Sequence, residues 1–233
     1  MNFIARAFNR NIGPQASVSS TAVDAQNIVT SNSNDRVDIR AAAFNRRGYA
    51  EAIGLDSSSL DTGSGNDRVR ISANARGNTT DTIAAYGAVD SQLDTGSGND
   101  SISINTNASS NGGWWWWNRG GNADSVGIDN NSSINTGSGN DSLYVHSFAT
   151  GSNTNAWAIR NSSIDMGSGD DYVSLNATTF QTQRRYDPAY GSENSSIDLG
   201  TGNDRLFINA NASGQGDIRA FGSLNSSIDA GDG

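Results

Sequence analysis

The chain lacks cysteine altogether and has only two prolines and one histidine in 233 residues. Without cysteine there are no disulfides and no thiol chemistry, and one histidine cannot build a His/Cys metal cluster. Lysine is absent too: all 15 basic residues are arginine, and 22 of the 24 acids are aspartate. The net charge of −9, with no basic stripe visible along the sequence, argues against a nucleic-acid partner. No run approaches the roughly 18 apolar residues of a membrane span, and Met1–Arg10 is no secretory signal peptide. The apolar fraction of 34% is low for a conventional core, yet the Ile, Val and Leu recur at regular intervals, which disordered chains do not show.

What the chain has is a repeat. Gly63-Ser64-Gly65-Asn66-Asp67 returns at Gly96–Asp100, Gly137–Asp141, Gly167–Asp171 and Gly200–Asp204. A worn copy, Ser31–Asp35, precedes these, and a truncated Gly231-Asp232-Gly233 ends the chain. First positions are separated by 32, 33, 41, 30, 33 and 31 residues. A period of this size signals a solenoid or array. Each motif is followed by period-2 alternation, as in Val69, Ile71, Ala73 and Ala75, so one face is buried and the inward residues shrink along the arm. A second arm ends in Asn-Ser-Ser-Ile at Asn131–Ile134, Asn161–Ile164, Asn194–Ile197 and Asn225–Ile228. These arms leave no room for a crossover helix, so turns must stack strand on strand. The expected fold is all-β: one right-handed parallel β-solenoid domain over 1–233, with about seven stacked turns.

Stacking places equivalent residues about 4.8 Å apart. The motif asparagines are then expected to form an amide ladder and the serines to hydrogen-bond along their own columns. A ladder also accounts for the Asn-Ser-Ser triplets better than their match to the N-glycosylation pattern. The motif glycines should take positive φ. Asp35, Asp67, Asp100, Asp141, Asp171 and Asp204 share one phase; Asp61, Asp94, Asp165, Asp198 and Asp229 share another. Unit charges 4–5 Å apart repel by about 1 kcal/mol in water and more in lower dielectric, so a bare ladder needs neutralising. Ca²⁺, proton uptake or the arginines just after the motif (Arg36, Arg68, Arg205) could do it; so could backbone N–H bonds within each turn. Oxygen-only ligands make Ca²⁺ the preferred metal.

Thr62-Gly63-Ser64-Gly65-Asn66-Asp67-Arg68-Val69 resembles the haemolysin-type calcium-binding (RTX) nonapeptide in all but its first Gly. The leading Gly is replaced in every copy (Thr62, Thr95, Thr136, Met166, Leu199), and the motif comes once per turn of about 33 residues. The resemblance implies Ca²⁺ held between neighbouring turns by turn carbonyls and Asp, and export without a cleaved N-terminal signal. It also implies a C-terminal secretion signal, which Ile228–Gly233 does not resemble.

The first residues align by eye with the arm after the worn motif, Ala-Phe-Asn-Arg at 7–10 against 43–46, which makes Met1 equivalent to Val37. No helical cap is visible at either end. Open rungs recruit further strands, so head-to-tail self-stacking through Phe3, Ala5, Ala7, Ile228, Gly231 and Gly233 is expected; a piece of a longer repeat protein is the alternative. A Trp-rich insertion at about 109–122 carries Trp114, Trp115, Trp116 and Trp117, a candidate lateral contact. Arg184–Pro188 reads as a solvated loop. No catalytic constellation emerges, since Glu51, Glu193 and His146 are isolated. The reading is a non-enzymatic, extracellular or cell-surface structural protein. A repeat segment of a secreted adhesin, or a module that binds glycan or ice, is the competing reading; irregular periods count against ice.

Overall fold

The computed structural model describes residues 1–11, 17–78, 81–111, 121–182 and 185–232. The chain is an all-β parallel solenoid of about six turns, built from three parallel sheets of seven strands each. Among the described residues there is no helix, and so none long and apolar enough to cross a membrane. Each rung contributes three strands rather than the two arms expected. A long strand follows the motif (Arg68–Gly77, for example), a second runs back (Ile83–Val89), and a three-residue strand (Gln92–Asp94) leads into the next motif. The Ser-Ile-Asp segment after Asn is therefore a separate wall, not the end of the second arm.

The corner between the second and short strands explains the recurrent Asn. Asn131, Asn161, Asn194 and Asn225 sit at φ of 60°, 49°, 48° and 51°. Asn tolerates this left-handed region better than other side chains with a Cβ. The expected ladder is thus not what selects Asn there; the corner geometry is.

Inside, Val69, Ile71, Ala73 and Ala75 are all fully buried, as the alternation requires. Large residues from all three sheets form one cluster near the short wall; alanines from the two long walls form another at the far end. The walls therefore converge away from the motif, and small side chains fill the narrow end. Period irregularity is absorbed between strands. The extra residues of the 41-residue period lie at 111–121, between Ser110 and Asn122, while the flanking strands stay in register with their neighbours. This removes the argument that uneven periods spoil a regular face.

Two expectations are corrected. Asn2 pairs with Arg36 and Phe3 with Val37, so Met1 stands level with Asp35, two residues from the alignment by eye. A shift of two preserves the inside–outside alternation, so hydrophobic pattern could not detect it. Arg185–Glu193 is a strand rather than a loop, paired with Gly216–Leu224. Trp114–Trp117, Arg184 and Gly233 lie outside the described residues.

The motif turn also stacks, through parallel bridges Ser64–Ser97–Ser138–Ser168–Thr201–Asp232. At Gly98 (φ 125°) a Cβ would lie 1.9 Å from the Gly65 carbonyl oxygen of the rung before. Both left-handed backbone and close approach demand Gly here. Gly98→Ala is expected to destabilise the fold by at least about 2 kcal/mol, read as a lower midpoint in urea unfolding followed by circular dichroism; an unchanged midpoint would contradict the close stacking of turns.

Candidate functional site: columns of carboxylates and arginines

The motif Asp column points inward. Asp67, Asp100, Asp141 and Asp171 are at most 2% exposed. Each Oδ1 accepts the backbone N–H of the aspartate one rung before: Asp35 N–H to Asp67, Asp67 to Asp100, Asp100 to Asp141, all at 2.7 Å. Asp141 to Asp171 (2.7 Å) and Asp171 to Asp204 (2.8 Å) continue the line. In Asp67, Asp100, Asp141, Asp171 and Asp204 the other oxygen, Oδ2, is buried without a hydrogen-bond partner. The Asp therefore serves its neighbour's backbone; Asp35 of the worn copy also accepts from the backbone of its own turn, at Ser31 N–H (2.7 Å). Asp35 further accepts from the Met1 ammonium, which holds its carboxyl far below the usual range.

Burial outweighs these bonds in the middle of the column. It raises Asp100 and Asp171 to about 6 and pushes Asp141 up as well, against the pull of the accepted backbone N–H. The arginines do not relieve the charge: Arg36, Arg68 and Arg205 are exposed on the other side of the wall. Proton uptake through about pH 6 neutralises Asp100 and Asp171.

Neighbouring columns use the same device. Asn99 N–H donates to Asn66 Oδ1 and Asn140 N–H to Asn99 Oδ1, each at 2.8 Å. Ser58 N–H donates to Ser91 Oγ and Ser91 N–H to Ser132 Oγ, each at 3.1 Å. Side chains accept backbone N–H from the adjacent rung, in place of the amide–amide and hydroxyl–hydroxyl ladders expected.

The second Asp column lies outside. Asp61, Asp94, Asp165, Asp198 and Asp229 are exposed on the short wall, paired in register with one another and with Asn135. The two columns therefore face opposite sides and cannot share a cation. Among the described residues no group of three or more His, Cys, Asp or Glu converges on a metal position. The inner column has committed one oxygen per rung to backbone, and Ca²⁺ gathers about six to eight oxygens. The outer column is exposed to solvent: Asp198 and Asp229 each accept a backbone N–H of their own turn, from Gly200 (2.9 Å) and Gly231 (3.0 Å), and their second oxygens face water as donors suited to a hard cation.

Aligning strands by register uncovers a basic face that the linear sequence conceals. On the outer side of the long-strand sheet stand Arg6, Arg10, Arg36, Arg40, Arg68, Arg70, Arg76 and Arg205, against one acid, Asp38. Seven of these eight belong to the first three rungs. Asp38 is chelated by Arg40 at 2.8 and 2.7 Å. Arg10, Phe44 and Arg76 stack in one column, with the Arg10 guanidinium 5.5 Å from the Phe44 ring centre. The expectation of no basic stripe is thereby corrected.

Sequence reasoning also missed an aromatic stack on the outer side of the second sheet. Trp157, Tyr190 and Phe221 lie ring on ring at 5.5 and 5.1 Å, with Arg160 4.4 Å over the other face of Trp157. Their shared phase was the available signal. Of the expected end residues, Phe3, Ala5 and Ala7 are half-buried, Ile228 is 44% exposed, and Gly231 packs on Gly200. His146 is exposed on the long-strand sheet, level with Asn105 and Asn176.

Raised carboxyl pKa values in the folded chain mean that folding takes up protons. The contribution of Asp100 and Asp171 to stability is full below the ordinary value near 3.9 and is lost as pH rises through about 6; Asp141 is shifted in the same direction and contributes with the same sign. The thermal midpoint should therefore fall by about 5 °C between pH 5 and 7.5. Replacing all three by Asn should flatten that slope and raise the midpoint at pH 7.5; a profile unchanged by the triple replacement would refute the protonated column. No family model, curated protein or solved structure matches this chain.

Proposed function

We propose that this chain is a non-enzymatic structural protein, a subunit of an extracellular filament, sheath or surface layer assembled by head-to-tail stacking of solenoid rungs. The supporting observation is the state of the outermost rungs. In the middle, Ile197 is 1% and Val69 0% exposed, whereas Ile228 in the same column as Ile197 is 44% exposed. Phe3 and Ala5, level with buried Val37 and Ile39, are only half-covered. The edge strands also present unpaired backbone N–H and C=O groups. A further rung, supplied by another copy in the same register, would satisfy both; a heterologous contact of this kind does not close and grows into a fibre.

In this reading the solenoid is right-handed, as parallel crossovers almost always are, and has seven turns. Its repeat is an outlying relative of the RTX type. Ca²⁺ is assigned to the outer column, Asp61, Asp94, Asp165, Asp198 and Asp229, where it would offset like charges one rung apart. The competing reading, a repeat segment of a secreted adhesin, places further repeats of the same chain on the end rungs.

Electron microscopy of purified protein with and without EGTA tests both parts. Filaments with the width of one solenoid are expected in calcium, shortening or dissolving on chelation. Monodisperse particles in both conditions would sink the assembly, and filaments indifferent to EGTA would sink the calcium assignment alone.

A further inference from the structure

The arginine face is self-repelling as it stands. Arg6 lies level with Arg40, and Arg36 with Arg68, each pair one rung apart. Arg70 projects from the same side two residues beyond Arg68, about 6.6 Å along the strand. Charges about 5 Å apart repel by roughly 0.8 kcal/mol even in water. Arg6, Arg36, Arg68 and Arg70 form none of the ion pairs among the described residues, which join Met1 to Asp35, Arg40 to Asp38, Arg160 to Asp129 and Arg219 to Asp217. A fold-level reason for the grouping is absent, because these side chains are outward and support no core. The arrangement suits an anionic partner that repeats at the rung spacing.

The same molecule carries such a surface. The outer Asp column on the short wall presents Asp61 and Asp94 on consecutive rungs, then Asp165, Asp198 and Asp229 on three more. Both columns belong to the same kind of solenoid, so their step is identical. Two copies lying side by side with axes aligned would set Arg36 and Arg68 against two consecutive aspartates, with Arg70 about 6.6 Å and Arg6 about 13 Å along the strand from that column and within the sweep of long side chains. A single exposed ion pair contributes little. A row of them with matched spacing adds up without any strain of fit, and long flexible Arg stems reach across small errors in height.

We propose that the arginine face formed by Arg6, Arg36, Arg68 and Arg70 is a lateral interface that docks the outer aspartate column of a second copy of this chain, the arginines there taking the place of the Ca²⁺ assigned to that column on an undocked rod. The contact is heterologous: one copy offers its basic face and the other its acidic edge, so each copy retains a free surface of each kind. Side-by-side association then continues into ribbons or layers. It is separate from end-to-end stacking, since it uses the flank of the rod and not its terminal rungs.

The test is a charge swap with rescue. In one variant Arg6, Arg36, Arg68 and Arg70 become Glu; in the other Asp61, Asp94 and Asp165 become Arg. All seven side chains are outward, and circular dichroism checks that both variants retain the fold; a milder set with Gln at the four arginines serves if the first does not fold. Sedimentation velocity and electron microscopy are then compared at low salt and at roughly 0.5 M salt, where the screening length falls to a few ångströms. Wild type is expected to associate laterally at low salt and to separate at high salt. Each swap alone should weaken lateral association at least about tenfold, and mixing the two swapped proteins should restore it. Wild-type association that survives both swaps overturns the proposal. So does a wild type that stays unassociated while its arginine face captures a soluble polyuronate or single-stranded DNA. Thin single filaments that persist in the variant swapped at the arginines, which leaves the aspartate column intact, separate this result from the end-to-end assembly, whose failure would instead leave salt-sensitive clusters of short rods.

Discussion

Everything in this molecule follows from the in-register parallel stacking of one rung on the next. Among the described residues each inner rung is hydrogen-bonded to two neighbours through its long, second and short strands and its turn bridges. That constraint turns a residue type into a column. Favourable self-contacts are then repeated at every step, and so are unfavourable ones. A β-branched or Ala column gains burial at each rung, which is how a chain with 34% apolar residues seals a continuous interior.

Polar columns need a different solution, and the motif supplies it. The residues between the last short-strand position and the next long strand turn sharply, leaving backbone N–H groups off the regular sheet ladder. Asp and Asn from the adjacent rung accept these, and Ser does the same at the corner before the short strand. A buried N–H without a partner costs about as much as a lost hydrogen bond. The motif side chains are thus extensions of the backbone ladder around the corner. The cost appears at the second oxygen of each inner Asp, buried without a partner over five rungs. Where burial raises the carboxyl, at Asp100, Asp141 and Asp171, a proton on that oxygen would remove like-charge repulsion while leaving Oδ1 free to accept. In the proposed reading the outer column, open to water, is the better place for a cation.

The stacked parallel architecture was legible because periodicity carries it: the motif recurs at one phase and the alternation Val69, Ile71, Ala73, Ala75 has one meaning. The inward taper and the positive-φ glycines were legible for the same reason. What failed was everything that depends on hydrogen-bond partners or on absolute register. The two-residue slip at Phe3 kept every side chain on its proper face, so nothing in the apolar pattern could flag it. The third wall was hidden because a three-residue strand has a single inward residue, such as Leu93, and one residue has no period. The arginine face escaped because charge was tallied along the chain, where Asp outnumbers Arg. Sorted by outward phase, Arg36, Arg40, Arg68 and Arg70 separate cleanly from the inward motif Asp.

A solenoid of this kind divides its sequence into a part that cannot vary and a part that can. Strand positions are held to the common step by neighbours on both sides, so an inserted residue there would misplace a whole wall. The length between the long and second strands varies from one residue, Ser152, to the eleven of 111–121, while the flanking strands keep their pairing. Outward side chains are free in identity but not in height, since the ladder fixes where each stands. Surface chemistry on such a rod is therefore written in rows with one spacing, and a partner that shares the spacing is recognised over many weak contacts at once. Another copy of the same rod meets that condition by construction, which makes self-association the expected consequence of placing opposite charges on different walls.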